Sequence, residues 1–203
     1  MHRIHMMIGS SLFILMFIAF AAGSGAAAEY TVDKDHSRAG FQVRHLVTRL
    51  QGEFKDFEGT FSFDEKKPEA ASGKFTVKAA SINTNHDKRD NHLRSADFFD
   101  AEKFPVLTFD SKKMTPREKN KYVLDGDLTL HGVTRPVSFD VEFLGVEKSP
   151  FGDRRAGFTA TSRINRKDYG MVWNKVLDNG GLLVGEDIDI QIQVEAIEAG
   201  AKK

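Results

Sequence analysis

The chain has 203 residues, 29 Lys+Arg set against 29 Asp+Glu, no Cys, and 17 Phe beside three Tyr and one Trp. Balanced charge excludes the basic excess that phosphate-backbone binding needs, so nucleic acid is not an expected partner. Without Cys no disulfide framework is available, so packing must hold the fold, and the length suits one domain with a sizeable core.

The first residues carry His2, Arg3 and His5, then an apolar run over 12–22 and a small-residue run over 23–28. This is the layout of a secretory signal peptide. A membrane-spanning helix needs roughly 20 consecutive apolar residues, and here Gly9, Ser10, Ser11, Gly23, Ser24 and Gly25 interrupt the run. Ala26-Ala27-Ala28 fits the A-x-A cleavage rule, which predicts a signal over 1–28 and a mature domain over 29–203 beginning at Glu29. No Cys follows the site to take a lipid. A bacterial periplasm is the expected compartment.

Beyond the signal, period-2 alternation recurs between turn residues. Phe41 and Val43 alternate with Gln42 and Arg44, and His45 shares the apolar parity. Residues 45–51 read as an interruption. Gly59, Phe61 and Phe63 form the next alternating run, Lys66-Lys67-Pro68 a turn, and Phe75, Val77 and Ala79 the run after it. A longer interruption spans 83–104, where 87–95 is charged enough and 96–99 compact enough for short helical turns. Leu107 and Phe109 follow, then Tyr122, Leu124 and Leu128. His131-Gly132 reads as a turn, and Arg135-Pro136 reopens a strand with Pro136 at its start or on an edge. Val137, Phe139, Val141 and Phe143 alternate, then Ala156, Phe158 and Ala160. An irregular stretch over 166–181 carries Trp173, and the clearest strand closes the set: Ile188, Ile190, Ile192 and Val194 against acids and glutamines. About eight strands without crossover helices predict a closed antiparallel barrel or a sandwich. The interior of an eight-stranded barrel is either filled by side chains or holds one small ligand.

Five His follow the signal: His36, His45, His86, His92 and His131. None has the short-spaced pairing usual for zinc or copper, so no metal site is predicted. His45 is either a hydrogen-bonded core residue or a polar contact for a ligand head group. Arg89 and Arg94 beside His92 offer donors for a phosphate or a quinone oxygen, or are loop charges paired with Asp87, Asp90 and Asp97. Asp35, His36 and Ser37 have triad residue types, but neighbours on extended chain alternate faces and cannot form a relay. No G-x-S-x-G elbow occurs.

Several segments, in this order, carry a resemblance. They are Asp35-His36-Ser37 with the run from Phe41 to Leu46, Phe54-Lys55-Asp56-Phe57-Glu58-Gly59, Ser81-Ile82-Asn83-Thr84 with the run from Arg89 to Ser95, and Asp97-Phe98-Phe99-Asp100. Phe104-Pro105, Leu128-Thr129-Leu130-His131-Gly132-Val133-Thr134-Arg135-Pro136 and Arg163-Ile164-Asn165-Arg166 with Asp168-Tyr169-Gly170 complete it. The chain resembles the YceI-like proteins over essentially all of the mature part. The resemblance implies an all-β, eight-stranded antiparallel lipocalin-like barrel with short helical segments in its long loops. It further implies a periplasmic carrier, not an enzyme, holding a polyisoprenoid lipid such as a quinone or a polyprenyl carrier, with no other cofactor. Transient contact with a membrane, or with a membrane donor or acceptor protein, belongs to the same expectation.

The lining expected on that basis is Phe41, Val43, His45, Phe61, Phe75, Val77, Leu93, Phe98, Phe99, Phe109, Leu128, Phe139, Phe158 and Trp173, with His92 and Arg94 as head-group candidates. Alternation alone gives each strand two faces without saying which turns inward. Two other readings stay open: a secreted metal-binding protein or small enzyme using His36, His45 and His92, and a stress-related structural barrel whose core is simply full.

Overall fold

The computed structural model describes residues 27–178 and 180–200, so nearly all of the expected signal lies outside the described residues. Eleven strand segments form one antiparallel sheet: β1 (Ala28–Val32), β2 (Arg38–His45), β3 (Thr48–Phe54), β4 (Phe57–Phe63), β5 (Ser72–Lys78), β6 (Ile82–Asn83), β7 (Val106–Glu118), β8 (Lys121–Leu130), β9 (Val133–Lys148), β10 (Arg154–Asn165) and β11 (Val184–Glu198). The order β1-β4-β5-β7-β8-β9-β10-β11 closes on itself through Tyr30 opposite Glu198, giving a barrel of eight strands. Beside it, β2 continues along β11, β3 along β2 and β6 along β3.

The eleven segments therefore occupy eight strand positions, three of them broken in two. The breaks, at 33–37, 55–56 and 79–81, lie side by side. Lys55 donates its N–H to the Ser81 carbonyl (3.1 Å), and Lys78 donates its N–H to the Asp56 carbonyl (2.9 Å). Lys34 and Lys78 both reach the Asp56 carboxylate, at 3.2 and 2.6 Å. Hydrogen bonds from Lys78 and Lys34 hold the Asp56 carboxyl below the usual range. The bend is thus continuous across three strands, with backbone hydrogen bonds and the Asp56 ion pairs joining the breaks where the sheet curves.

The stretch over 45–51 is not the interruption expected from the sequence. It is a tight hairpin, with Leu46 at φ 52 between β2 and β3. The alternation of β3 is Leu50, Gly52, Phe54, and its middle member has no side chain to register as apolar. The space is taken by the Phe41 ring, which a Cβ at Gly52 would meet at 2.4 Å. The expected turn at His131-Gly132 is present, with φ 52 and 74 joining β8 to β9. Pro136 pairs with Asp127 of β8, in a part of β9 that lies before its β10 pairing at Asp140, so its missing N–H leaves no rung broken on that side.

Inward rings repeatedly lie over glycines. Phe75 sits opposite Gly59, and Phe109 covers Gly126. A Cβ at Gly126 would stand 2.4 Å from the Phe109 Cζ and 2.5 Å from the Asp110 carbonyl oxygen. One of those neighbours is backbone and cannot swing away. Gly126→Ala is therefore expected to cost about 1–3 kcal/mol as overpacking, read as a lower urea midpoint. An unchanged midpoint would contradict the ring-over-glycine arrangement.

One α-helix, α1 (Asp87–Arg94), falls in the long interruption where helical turns were expected. His86 caps it by accepting the Arg89 N–H at 3.2 Å. Buried Asp90 accepts from the Thr84 backbone N–H (2.9 Å) and hydroxyl (2.5 Å), while Arg89 donates to the Thr84 hydroxyl and carbonyl oxygens at 2.7 and 2.8 Å. This network ties α1 to the end of β6. No described helix is long and apolar enough to cross a membrane.

Candidate functional site

The inward faces of β4, β5, β7, β9, β10 and β11, with Val32, Ala39 and Leu124, border an apolar cavity of about 170 Å³ that is open on one side. Six of the expected lining residues meet there: Phe61, Phe75, Val77, Phe109, Phe139 and Phe158. Their rings are in mutual contact, Phe61 with Phe75 at 6.1 Å, Phe61 with Phe158 at 5.5 Å and Phe109 with Phe139 at 5.1 Å. Edge-on and offset arrangements of this kind favour aromatic packing while leaving the rings on the wall. The list drawn from the sequence omits Phe57, Phe63, Met114, Val141, Ile192 and Val194, which also line the space. Phe57, Phe63 and Val141 share the parity of Phe61 and Phe139, and Ile192 and Val194 belong to the apolar face read in the closing strand, so for these the signal was present. Met114 follows a register shift between Ser111 and Lys113, which moves it to the inner face.

The remaining expected residues occupy three other places. Leu128 is buried opposite Phe109 in the core. Phe41 and Val43 lie on β2 with His45 at its end; Phe41 touches Phe54 at 5.8 Å, and Phe54 meets Phe99 edge-on at 5.5 Å, a chain of rings leading from β2 to the segment after α1. Outside that chain His92, Phe98 and Trp173 form a separate cluster, with His92 4.8 Å from Trp173 and 5.1 Å from Phe98, beside half-buried Leu93.

The two head-group candidates have internal partners. His92 shares a 2.8 Å contact with Asp97. Arg94 donates to the carbonyls of Ala80 and Ile82 at 2.7 and 2.9 Å and to the Asn91 side chain at 2.9 Å, so it locks α1 against the 79–82 break. A residue that sequence reasoning passed over is Arg166, 2% exposed, which donates to the carbonyls of Gly185 (3.0 Å) and Met171 (2.5 Å) and so ties the end of β10 to the start of β11. Burial pulls its guanidinium pKa down from the usual value.

His36, His45 and His92 are not brought together. β2 alone separates the first two by roughly 25 Å at about 3.3 Å per residue, and His92 sits on α1. Among the described residues, the one grouping with metal-ligand types is Asp33, His36 and Glu195. Arg155 already bridges it, at 2.7 Å from Asp33 and 2.5 Å from Glu195, and His36 lies 2.8 Å from Asp33. The cluster pins the β1–β2 break to β10 and β11.

The hydrogen bond and charge of Asp33 raise the His36 pKa above its ordinary value. Burial alone would raise the Asp33 carboxyl, but its bonds with His36 and Arg155 outweigh that and leave it lowered. The raised imidazole sets the sign: the pair's stabilisation is fully present below the unfolded-state pKa near 6.5 and is lost as pH rises through the folded value. Melting of the wild type and of His36→Gln across pH 5.5 to 9 should show a gap that closes as pH rises. A gap independent of pH would show that the charge on His36 contributes nothing.

A family model described as the YceI-like domain matches residues 30–196. Protein YceI of Escherichia coli O6:H1 is 41% identical over 184 residues, covering 89% of this chain and 93% of the relative. Protein YceI of Salmonella arizonae is 40% identical over 189 residues, covering 92% and 95%. Among solved structures, Campylobacter jejuni YceI superposes with a TM-score of 0.66 at 36% identity, covering 83% of this chain and 97% of that one. Burkholderia cenocepacia BcnA shares the fold at a TM-score of 0.73 and 23% identity, covering 81% and 98%. A polyisoprenoid-binding domain from Saccharophagus degradans shares it at 0.59 and 15% identity, covering 83% and 98%.

Proposed function

The chain belongs to the YceI-like family, and from that premise we propose that it is a non-enzymatic carrier, exported to the periplasm by a signal peptide over 1–28, that holds the chain of a polyisoprenoid lipid inside its barrel. The observation that carries this reading is the cavity, whose wall is mainly Phe and Val with Ile, Leu, Met and Ala, and whose border carries Arg38, Glu58, Gln193 and three serines. A ligand for such a space is apolar along its length. The polyisoprenoid-binding domain of the same fold supports an isoprenoid over other hydrocarbons.

Magnitudes fit a carrier. Each five-carbon unit gains about 3–4 kcal/mol on leaving water, at about 0.8 per CH₂, but far less on leaving a bilayer that is equally apolar. Uptake from a membrane is then nearly balanced and reversible. Size sets a further condition. An apolar cavity of about 150 Å³ takes a guest the size of benzene, so the space here holds on the order of one or two isoprene units. A longer chain must swing rings such as Phe75 and Phe109 off their glycines or leave through the wall.

The experiment is exchange from vesicles: detergent-free protein incubated with bilayers carrying a long-chain prenyl quinone, then separated by size. About one quinone per protein is expected in the protein fraction. None after equilibration would overturn the carrier reading.

A further inference from the structure

On the outer side of the wall, between β4, β5 and β7, a groove of about 270 Å³ is bordered by Glu29, Thr60, Lys74 and Asp110. Phe61, Ser62, Ser72, Gly73 and Ser111 line both this groove and the interior cavity. The barrel wall is thin there for a visible reason. The β5–β7 ladder ends at Lys74 opposite Asp110, and the next N–H, that of Gly73, is satisfied not by a carbonyl but by the Ser111 Oγ at 2.6 Å. Gly73 adds no side chain to the gap. A polar groove and an apolar cavity thus meet across one glycine and one hydroxyl.

Resting on the carrier reading above, we infer that this groove is the head-group subsite of the same ligand, and that it takes an uncharged prenyl lipid, an alcohol or a quinone, in preference to a prenyl diphosphate. The hydroxyl chemistry supplies the contacts. Ser111 Oγ accepts from Gly73 and keeps its own proton to donate, and the Ser62–Ser72 hydroxyl pair at 2.9 Å uses one proton between the two and leaves the other. Ser111, which shares the inward parity of Phe109, and the outward Ser62–Ser72 pair thus each leave one O–H proton at this thin part of the wall, suited to a carbonyl or hydroxyl oxygen. The charges at the border argue against a phosphate. Lys74 is paired with Asp110 at 3.1 Å, and Glu29 adds a further carboxylate. Cleavage before Glu29 would place an amino group at the same border and bring the total to neutrality. In neither case is there the net positive charge that a diphosphate requires.

The test uses three fifteen-carbon probes of the same chain: farnesene, farnesol and farnesyl diphosphate, titrated into the mature protein. Farnesol is expected to bind at least tenfold tighter than farnesyl diphosphate. Ser111→Ala should weaken farnesol by about 3- to 10-fold, the worth of one hydrogen bond, and leave farnesene unchanged, whereas Ser111→Thr keeps the hydroxyl and should restore farnesol. Farnesyl diphosphate binding as tightly as farnesol, or Ser111→Ala weakening farnesene as much as farnesol, would overturn the subsite while leaving the carrier intact. Failure of farnesene and farnesol alike to bind would overturn the carrier reading itself, and this inference with it.

Discussion

Phe158→Ala will lower the stability of the barrel by about 3–5 kcal/mol, the usual cost of deleting a buried phenylalanine. Phe158 is 8% exposed and stands at the centre of the ring cluster, 5.5 Å from Phe61, 5.2 Å from Phe63 and 5.1 Å from Phe143. Phe61 and Phe63 stand on β4, and Phe143 is the cross-strand partner of Phe158 on β9, so three rings lose a contact at once. The hole also enlarges the proposed chain site. Ligand should therefore protect the variant more than the wild type, since binding to the folded state alone raises its stability by mass action. Urea unfolding with and without farnesene reads both effects. A variant within 1 kcal/mol of the wild type would show that the cluster is loosely packed.

Ala160→Phe will have the opposite profile: little change in stability, and roughly a 100-fold loss in affinity for a prenyl chain. Ala160 lines the cavity on β10, between Val141 of β9 and Ile192 of β11, which line it too. A ring at this position enters the space instead of the wall. Excluding even one five-carbon unit removes about 3–4 kcal/mol of burial relative to water, and 2.7 kcal/mol already corresponds to about 100-fold. Titration with farnesol checks it, with the urea midpoint as a control on folding. Undiminished binding in a folded variant would place the chain elsewhere.

These two sites also show how far the sequence carried. β10 and β11 were legible because apolar inward and polar outward side chains alternate over much of their length, as in Ile188 to Val194. β3 was not, since the residue that should have marked its inner face is Gly52, and the mark is displaced onto Phe41 across the strand pair. β1 and β6 are short halves of strands broken at the common bend, and five or two residues give alternation too little length to register. The eight expected strands and the eight barrel positions nevertheless agree, because each break falls within a strand position instead of adding one.

For the site, parity was the missing quantity. Once closure fixes which face is inside, Phe61, Phe75, Val77, Phe109, Phe139 and Phe158 fall on it together. Phe98 and Trp173 came from the resemblance alone. The structure sets them in a cluster with His92 outside the cavity, Phe98 buried and Trp173 half-buried. Nothing periodic could have revealed the groove at Gly73. It depends on where the β5–β7 ladder stops, and that is a property of two strands far apart in sequence.

Native mass spectrometry of the protein isolated without detergent from the cells that make it, followed by organic extraction, tests the carrier most directly. The expected spectrum shows a chain beginning at Glu29 with one equivalent of a prenyl lipid, released intact by solvent. A bare mass equal to the chain alone, from cells that contain prenyl lipids in their membranes, would contradict the account and leave a structural barrel with an unused cavity in its place.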